Sequence, residues 1–271
     1  MKRLPLALAS LLLFAVTLWA CSLDHPAAVD DTVNYPSTTI ETIYAAIEAM
    51  TPRPQFVVAT GDYMNANPAG SQGAAQIDKY RAAALHYSGP TFAAMGHMDC
   101  DGTTGGNCAS HATSNSQAFM DGLVKPLGKT LPYYSIPIND VAGRWNAKLL
   151  VVACNAWSSA QRNWLAGELA RGTTYTFIVR HESSTVINAP CIIEMEAMLL
   201  TSGSSYQALI SGHSHSYSHF QRELIVGNAG APLTGNGDFG YATVEQLESG
   251  MLVVTQYDYL SSMPIGSFQL P

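Results

Sequence analysis

The stretch Leu209-Ile210-Ser211-Gly212-His213-Ser214-His215 carries a short apolar run into a pair of histidines. A short apolar run that ends at glycine is typical of a buried strand followed by a turn. Glycine permits the sharp turn, and two imidazoles one residue apart at a strand end can face adjacent metal positions. A polar strand end without a metal remains the alternative for this stretch alone.

Other apolar runs along the chain also end at a carboxylate or an imidazole. The pairs are Phe56–Thr60 before Asp62, Thr91–Met95 before His97, and Thr173–Val179 before His181. In open α/β sheets the carboxyl ends of the strands collect the functional groups, so these side chains are expected to meet. Histidines clustered with an aspartate predict a metal site.

Helical and strand patterns alternate through most of the chain. A capping-box spacing at Thr38–Glu41 predicts the start of a helix, and Ser158 is placed to cap another. After His215 the pattern becomes strand-rich, with Tyr241–Leu247 and Met251–Tyr257 joined as a hairpin through 248–250. This order indicates α/β units that feed a mixed sheet, followed by an antiparallel portion.

In order and spacing, these motifs resemble the calcineurin-like metallophosphoesterase family, which includes the purple acid phosphatases. The resemblance rests on Val58–Asp62, Phe177–His181 and Leu209–His215, and it spans about Pro36 to Asp258. It implies an α/β fold, a four-layer α/β/β/α sandwich with two mixed β-sheets. It also implies a hydrolase of small phosphate esters, in which a metal-bound hydroxide attacks phosphorus.

The resemblance also assigns metal ligands. It implies two ions, drawn from iron, manganese and zinc, with Asp62 bridging them. His181 and His213 would bind one ion and His215 the other, and the first motif offers only Asp24 as a further carboxylate. Since Asp24 and His25 are adjacent where the family separates them, a centre that retains one ion is the alternative.

The third motif reads Gly96-His97-Met98-Asp99, where the family has Gly-Asn-His followed by Asp or Glu. In this register His97 is a metal ligand and Met98 cannot transfer a proton, so the general acid is missing. A shift of one residue makes His97 the acid instead. We therefore take His97 and Asp99 as catalytic candidates, and a non-catalytic binding module that keeps the fold is the rival interpretation.

Two further residues are candidates for substrate binding by the same resemblance. Asn228 lies in a glycine-rich loop that resembles a family loop at the mouth of the active site. Arg180 stands directly before His181.

The N-terminus has the pattern of an export signal. Lys2 and Arg3 precede an apolar run over 4–19, and Leu18-Trp19-Ala20-Cys21 resembles a bacterial lipobox. Residues 1–20 are therefore predicted as a signal peptide, Cys21 as a lipid-modified cysteine, and 21–271 as one domain outside the cytoplasm, anchored to a membrane by lipid. The same apolar run could instead form the first strand of the fold, and then the export prediction would be wrong.

Charge and cysteine content fit an exported enzyme. The net charge of −7 without basic runs disfavours nucleic acid as a partner. Cys100 and Cys108 flank a short loop rich in glycine and threonine, and they are expected to form a disulfide. Cys154 lies in an apolar run and is expected to be a buried thiol.

Overall fold

The computed structural model describes residues 13–17, 36–201, 206–234 and 237–270. Cys21 and Asp24 lie outside the described residues. The strands are β1 (Leu13–Thr17), β2 (Phe56–Ala59), β3 (Thr91–Ala93), β4 (Tyr134–Asn139), β5 (Asn146–Val151), β6 (Tyr175–Val179), β7 (Ala208–Ser211), β8 (Tyr217–Phe220), β9 (Glu223–Val226), β10 (Gly240–Gln246), β11 (Leu252–Asp258) and β12 (Pro264–Gln269). The α-helices are α1 (Pro36–Ala49), α2 (Gly73–Ala84), α3 (Ser114–Phe119), α4 (Ser159–Ala170) and α5 (Ile192–Thr201).

The strands form two mixed sheets of six strands each, in the orders β12-β11-β10-β1-β2-β3 and β4-β5-β6-β7-β9-β8. In the first sheet β1, β2 and β3 are parallel, and the hairpin strands continue antiparallel from β10. In the second sheet β5, β6, β7 and β9 are parallel, with an antiparallel strand at each edge.

Strand β6 shows how the layers pack, because its side chains alternate between two apolar clusters. Phe177 and Val179 join the large core that also contains Val58 and Val244 of the other sheet. Ile178 points to the opposite face and packs in a second cluster with Leu165 of α4 and other helical residues. Helices therefore cover the outer face of this sheet while the two sheets pack on each other, as the predicted four-layer sandwich requires.

Local sequence explains how the helices begin. The Ser158 hydroxyl accepts a hydrogen bond from the Gln161 backbone N–H at 3.2 Å, as predicted for the cap of α4. Helix α1 begins at Pro36, before the expected capping residue Thr38. Proline suits the first turn of a helix because its missing N–H would have no partner there.

Strand β1 lies in the stretch assigned above to the signal peptide. Its backbone pairs in parallel with β2 and antiparallel with β10, at the centre of the first sheet. Cleavage after residue 20 stays a prediction, and it would remove this strand.

Two disulfides cross-link the part of the chain that the structure describes. Cys100 is bonded to Cys108, with Cα atoms 5.8 Å apart. The expectation of a free thiol at Cys154 is wrong, because Cys154 is bonded to Cys191 at a Cα separation of 4.9 Å. An apolar neighbourhood did not distinguish a thiol from a buried disulfide, since both are apolar. None of the helices in the described residues combines the length and apolarity that a membrane span requires.

Candidate metal centre

The candidate site lies where strands of both sheets end. Asp62 follows β2, His97 follows β3, His181 follows β6 and His213 follows β7. The backbone of Asp62 and of His213 is left-handed, with φ of 61° and 66°. Such a conformation is costly for most residues, and here it turns each side chain out of its strand into a common space.

Four side chains meet in this space, and they are Asp62, His97, His181 and His213, with one donor atom from each lying within 4.8 Å of the others. Asp62 Oδ2 is 3.0 Å from His181 Nε2 and 3.1 Å from His97 Nδ1. His181 Nε2 is in turn 3.2 Å from Nδ1 of both His97 and His213. Imidazole nitrogens and a carboxylate oxygen are the donor set that suits zinc, iron and manganese.

Backbone groups fix the two buried donors. His181 Nδ1 lies 2.9 Å from the Thr60 carbonyl oxygen. A carbonyl only accepts, so Nδ1 carries the proton and Nε2 faces the cluster. Asp62 Oδ1 accepts from the Met98 N–H at 2.8 Å, which leaves Oδ2 for the histidines.

Two glycines leave the room that this arrangement needs. A Cβ on Gly61 would lie 2.7 Å from His181 Nδ1, and Gly61 has φ of 116°. A Cβ on Gly96 would lie 2.2 Å from Asp62 Oδ1. A side chain at Gly61 would displace His181 and one at Gly96 would displace Asp62, so the glycines of both motifs are required sterically.

The charges of the cluster follow from burial and proximity. Burial acts to lower the pKa of His181, but the adjacent Asp62 carboxylate outweighs it and raises that pKa to about 9. Burial acts to raise the pKa of Asp62, but the charge and the hydrogen bond of His181 outweigh burial, so the pKa of Asp62 is lowered. Burial and the charge of His181 lower the pKa of His213 to about 4, and burial lowers that of His97. His97 and His213 are thus neutral near pH 7 and keep a lone pair for a cation.

His215 lies outside the four-residue set. Its Nδ1 is 2.9 Å from the Pro232 carbonyl oxygen, and its backbone carbonyl accepts from the Thr234 N–H at 3.0 Å. The loop that follows β9 therefore holds His215 in place, and its role as a ligand of a second ion stays a prediction.

Asp99, predicted as catalytic, is buried beneath the site. Its carboxylate accepts hydrogen bonds from the backbone N–H groups of Asp62 at 2.7 Å, Tyr63 at 2.9 Å and Gly96 at 2.9 Å. Burial and the nearby Asp62 raise the pKa of Asp99 well above its usual range, and the N–H donors oppose the rise. With its side chain enclosed, Asp99 is a positioning residue, which corrects the catalytic assignment. His97 lies among the four clustered donor atoms, and this geometry favours the ligand interpretation of its motif.

Both candidates for substrate binding are buried, which corrects the assignment of Arg180, while substrate binding by Asn228 stays a prediction. Arg180 is fully buried, with its guanidinium 2.6 Å from Glu196 Oε1 and donating to the Glu182 carbonyl at 2.8 Å. Asn228 is buried as well and donates to the Asp238 carbonyl at 2.7 Å. Position directly before His181 suggested Arg180, but neighbouring residues along an extended chain point to opposite faces.

No protein-family model and no curated protein matches the sequence. Solved structures do match the fold. GAP50, described as the anchor in the inner membrane complex of Plasmodium, aligns with a TM-score of 0.67 at 14% identity, over 97% of this chain and 89% of that one. A dimetal phosphatase from Danio rerio aligns with a TM-score of 0.60 at 15% identity, over 93% of this chain and 98% of that one.

A purple acid phosphatase from yellow lupin seeds aligns with a TM-score of 0.66 at 13% identity, over 96% of this chain. This chain spans 54% of the lupin enzyme's length. Identities this low establish the fold alone. The chain has the calcineurin-like metallophosphoesterase fold, as its motifs predict.

Proposed function

We propose that the protein is a metal-dependent hydrolase of small phosphate esters. The observation that carries this proposal is the convergence of Asp62, His97, His181 and His213 at the strand ends of a fold that solved phosphatases share. When bound, a cation such as zinc, iron or manganese supplies Lewis-acid chemistry for attack on phosphorus.

The protein's own residues prepare the centre. The Thr60 carbonyl orients His181, and the Met98 N–H orients the Asp62 carboxylate. Both donors are 1% exposed, so their surroundings exclude water and strengthen their electrostatic interaction with a cation. Donors held in this way need little rearrangement to receive an ion, and His181 gives up its Nε2 proton when an ion binds.

The test is hydrolysis of 4-nitrophenyl phosphate and bis(4-nitrophenyl) phosphate by the purified chain loaded with manganese, iron or zinc. We expect metal-dependent hydrolysis that falls at least about 100-fold in Asp62→Asn and His181→Ala, since each removes a buried donor. His86→Ala, which changes an exposed histidine at the end of α2, is the matched control and should retain full activity. A chain that binds metal yet hydrolyses neither ester would refute the proposal.

A non-catalytic binding module is the second candidate. Met98 favours it, because a thioether stands beside His97 where the family carries a proton-transferring histidine. The similarity to GAP50, a membrane-complex anchor, is compatible with it. Met98→His discriminates between the two candidates, since a large gain in turnover supports a damaged enzyme and unchanged inactivity with full metal loading supports a binding role.

We also propose that the protein acts outside the cytoplasm, periplasmic or extracellular, with Cys21 as a lipid anchor to a bacterial membrane. The disulfides Cys100–Cys108 and Cys154–Cys191 support an oxidising compartment. The mass of the N-terminal peptide from native protein tests this, because a lipid on Cys21 adds a defined increment. An unmodified peptide containing residues 1–20 would contradict it.

A further inference from the structure

A row of polar side chains crosses the outer face of the second sheet, beside the two histidine-bearing strand ends. Ile178 and Leu209 pack in the apolar cluster on this face, and Arg180 and Ser211 follow them on the same side of the chain. Glu223 begins β9, the next strand in the sheet after β7. Polar groups on a buried apolar face are costly unless they are paired, so the contacts of this row need an explanation.

One oxygen of Glu223 links the two strand ends. Glu223 Oε1 accepts hydrogen bonds from the Ser184 backbone N–H at 2.9 Å and from the Ser211 hydroxyl at 3.0 Å. Ser184 lies in the segment after His181, and Ser211 stands shortly before His213. The Glu223 side chain is 14% exposed, so water competes little for these bonds. The carboxylate therefore bridges the two segments that carry the histidines.

Arg180 belongs to the same row, but its charge does not depend on Glu223. Its guanidinium is 2.6 Å from Glu196 Oε1 on α5 and donates to the Glu182 carbonyl at 2.8 Å, while Glu223 Oε1 is 3.9 Å away. Because Glu196 already faces the buried guanidinium, a change at Glu223 leaves Arg180 with a counter-charge. Replacing Glu223 therefore tests the bridge between the strand ends and not the burial of a charge.

The bridge bears on the metal centre because two of the clustered donors follow these strand ends. His181 Nε2 and His213 Nδ1 are 3.2 Å apart. The backbone pairing of β6 and β7 continues to Gly212, whose N–H donates to the His181 carbonyl at 2.7 Å, and the chain then turns at His213 with φ of 66°. A bond that fixes Ser211 on the outer face therefore limits how far this turn can shift relative to His181.

We propose that Glu223 is a positioning residue, which sets the spacing of His181 and His213 for a metal ion. This inference rests on the metal centre of the proposed function and adds a residue on the outer face of the sheet that controls it. Replacing a side chain that holds metal ligands in place typically lowers metal affinity by about 10–100-fold. A merely structural role would change the stability of the fold and leave the metal affinity of the folded protein as it is.

The test compares two variants of the full chain, Glu223→Gln and Glu223→Leu, titrated with Co²⁺ and followed by its visible absorption. Glutamine keeps an acceptor oxygen for the Ser184 N–H and the Ser211 hydroxyl, so Glu223→Gln should have the Co²⁺ affinity and spectrum of the wild type. Leucine has no acceptor, so Glu223→Leu should bind Co²⁺ at least about tenfold more weakly and with a changed spectrum. Glu248→Leu, which changes an exposed glutamate in the hairpin turn between β10 and β11, is the matched control and should equal the wild type.

Circular dichroism of the metal-free variants shows which are folded, and Co²⁺ affinities are compared among folded proteins. If Glu223→Leu does not fold, Ser211→Ala takes its place, because it removes one donor of the bridge without adding bulk, and it should also weaken Co²⁺ binding. Unchanged Co²⁺ affinity and spectrum in the folded variant that lacks the bridge would overturn the inference. A Glu223→Gln protein as weak as Glu223→Leu, or a wild type that binds no Co²⁺, would also overturn it.

These outcomes are independent of the ester hydrolysis assay. A wild type that hydrolyses esters, with normal Co²⁺ binding in Glu223→Leu, would support the proposed function and refute the role of Glu223. A wild type that hydrolyses neither ester, with Co²⁺ binding weakened in Glu223→Leu and retained in Glu223→Gln, would do the reverse.

Discussion

At the scale of single residues, the left-handed backbone of Asp62 must be stabilised by its surroundings. A non-glycine residue in this region costs about 1–2 kcal/mol. Asp99 supplies the compensation, because its two carboxylate oxygens bind the N–H groups of Asp62, Tyr63 and Gly96. One buried side chain thus joins the turn after β2 to the turn after β3.

Asp99→Asn should therefore lower both stability and metal affinity. Asparagine offers one acceptor oxygen and directs its NH₂ group at backbone donors, so the free energy of unfolding should fall by about 2–3 kcal/mol. Denaturant unfolding and Co²⁺ titration measure the two effects. The matched control is Asp78→Asn, whose carboxylate lies in an exposed pair with Arg81 and should matter by less than about 1 kcal/mol. Equal stability of the two variants would show that Asp99 does not support the turn.

The clustered side chains of the candidate centre could be predicted from the sequence, because each is a distinctive residue type just after an apolar run. Asp62, His181 and His213 were found in this way. The hydrogen bond that orients His181 goes to the Thr60 carbonyl, and a backbone group leaves no signature in the sequence. Arg180 misled for a related reason, since sequence gives proximity along the chain but does not give the direction of a side chain.

At the scale of elements, buried strands were predictable and exposed edge strands were not. β6 and β7 are fully buried and read as continuous apolar runs. β8 is largely exposed, and β12 contains a proline and a glycine, so neither carries an apolar pattern. Both lie at the edge of a sheet, where one neighbouring strand decides the pairing and the sequence signal is weak.

The disulfide between Cys154 and Cys191 ties the turn after β5 to the start of α5, and its removal tests how much that link stabilises the second sheet. Because it spans 37 residues, replacing both cysteines by alanine should lower the unfolding free energy by about 3–4 kcal/mol. The control replaces Cys100 and Cys108, which are 8 residues apart and should cost about 1 kcal/mol less. Urea unfolding of metal-free proteins gives both values. A larger loss from the shorter loop would contradict the chain-entropy explanation.

At the scale of the whole molecule, the first sheet and the predicted export signal compete for the same residues. Four residues of β1 pair with β10 and four pair with β2, so β1 joins the antiparallel half of its sheet to the parallel half. An apolar run of this length is typical of the hydrophobic core of a signal peptide and also of a central strand. Composition alone could not decide between these two interpretations.

Deletion of residues 1–20 separates these alternatives. Without β1, the backbone groups of β2 and β10 that face it lose their partners in the middle of a sheet, and unpaired buried groups cost about 1–3 kcal/mol each. If β1 belongs to the folded protein, the protein lacking residues 1–20 loses its cooperative unfolding transition, whereas a protein lacking residues 1–10 retains it because Leu13–Thr17 remains. Thermal unfolding followed by circular dichroism measures both. If the protein lacking residues 1–20 unfolds like the full chain, a mature exported form can dispense with β1, and cleavage before Cys21 becomes compatible with the fold. If only the longer protein is stable, the apolar run serves the sheet, and the export prediction must be abandoned.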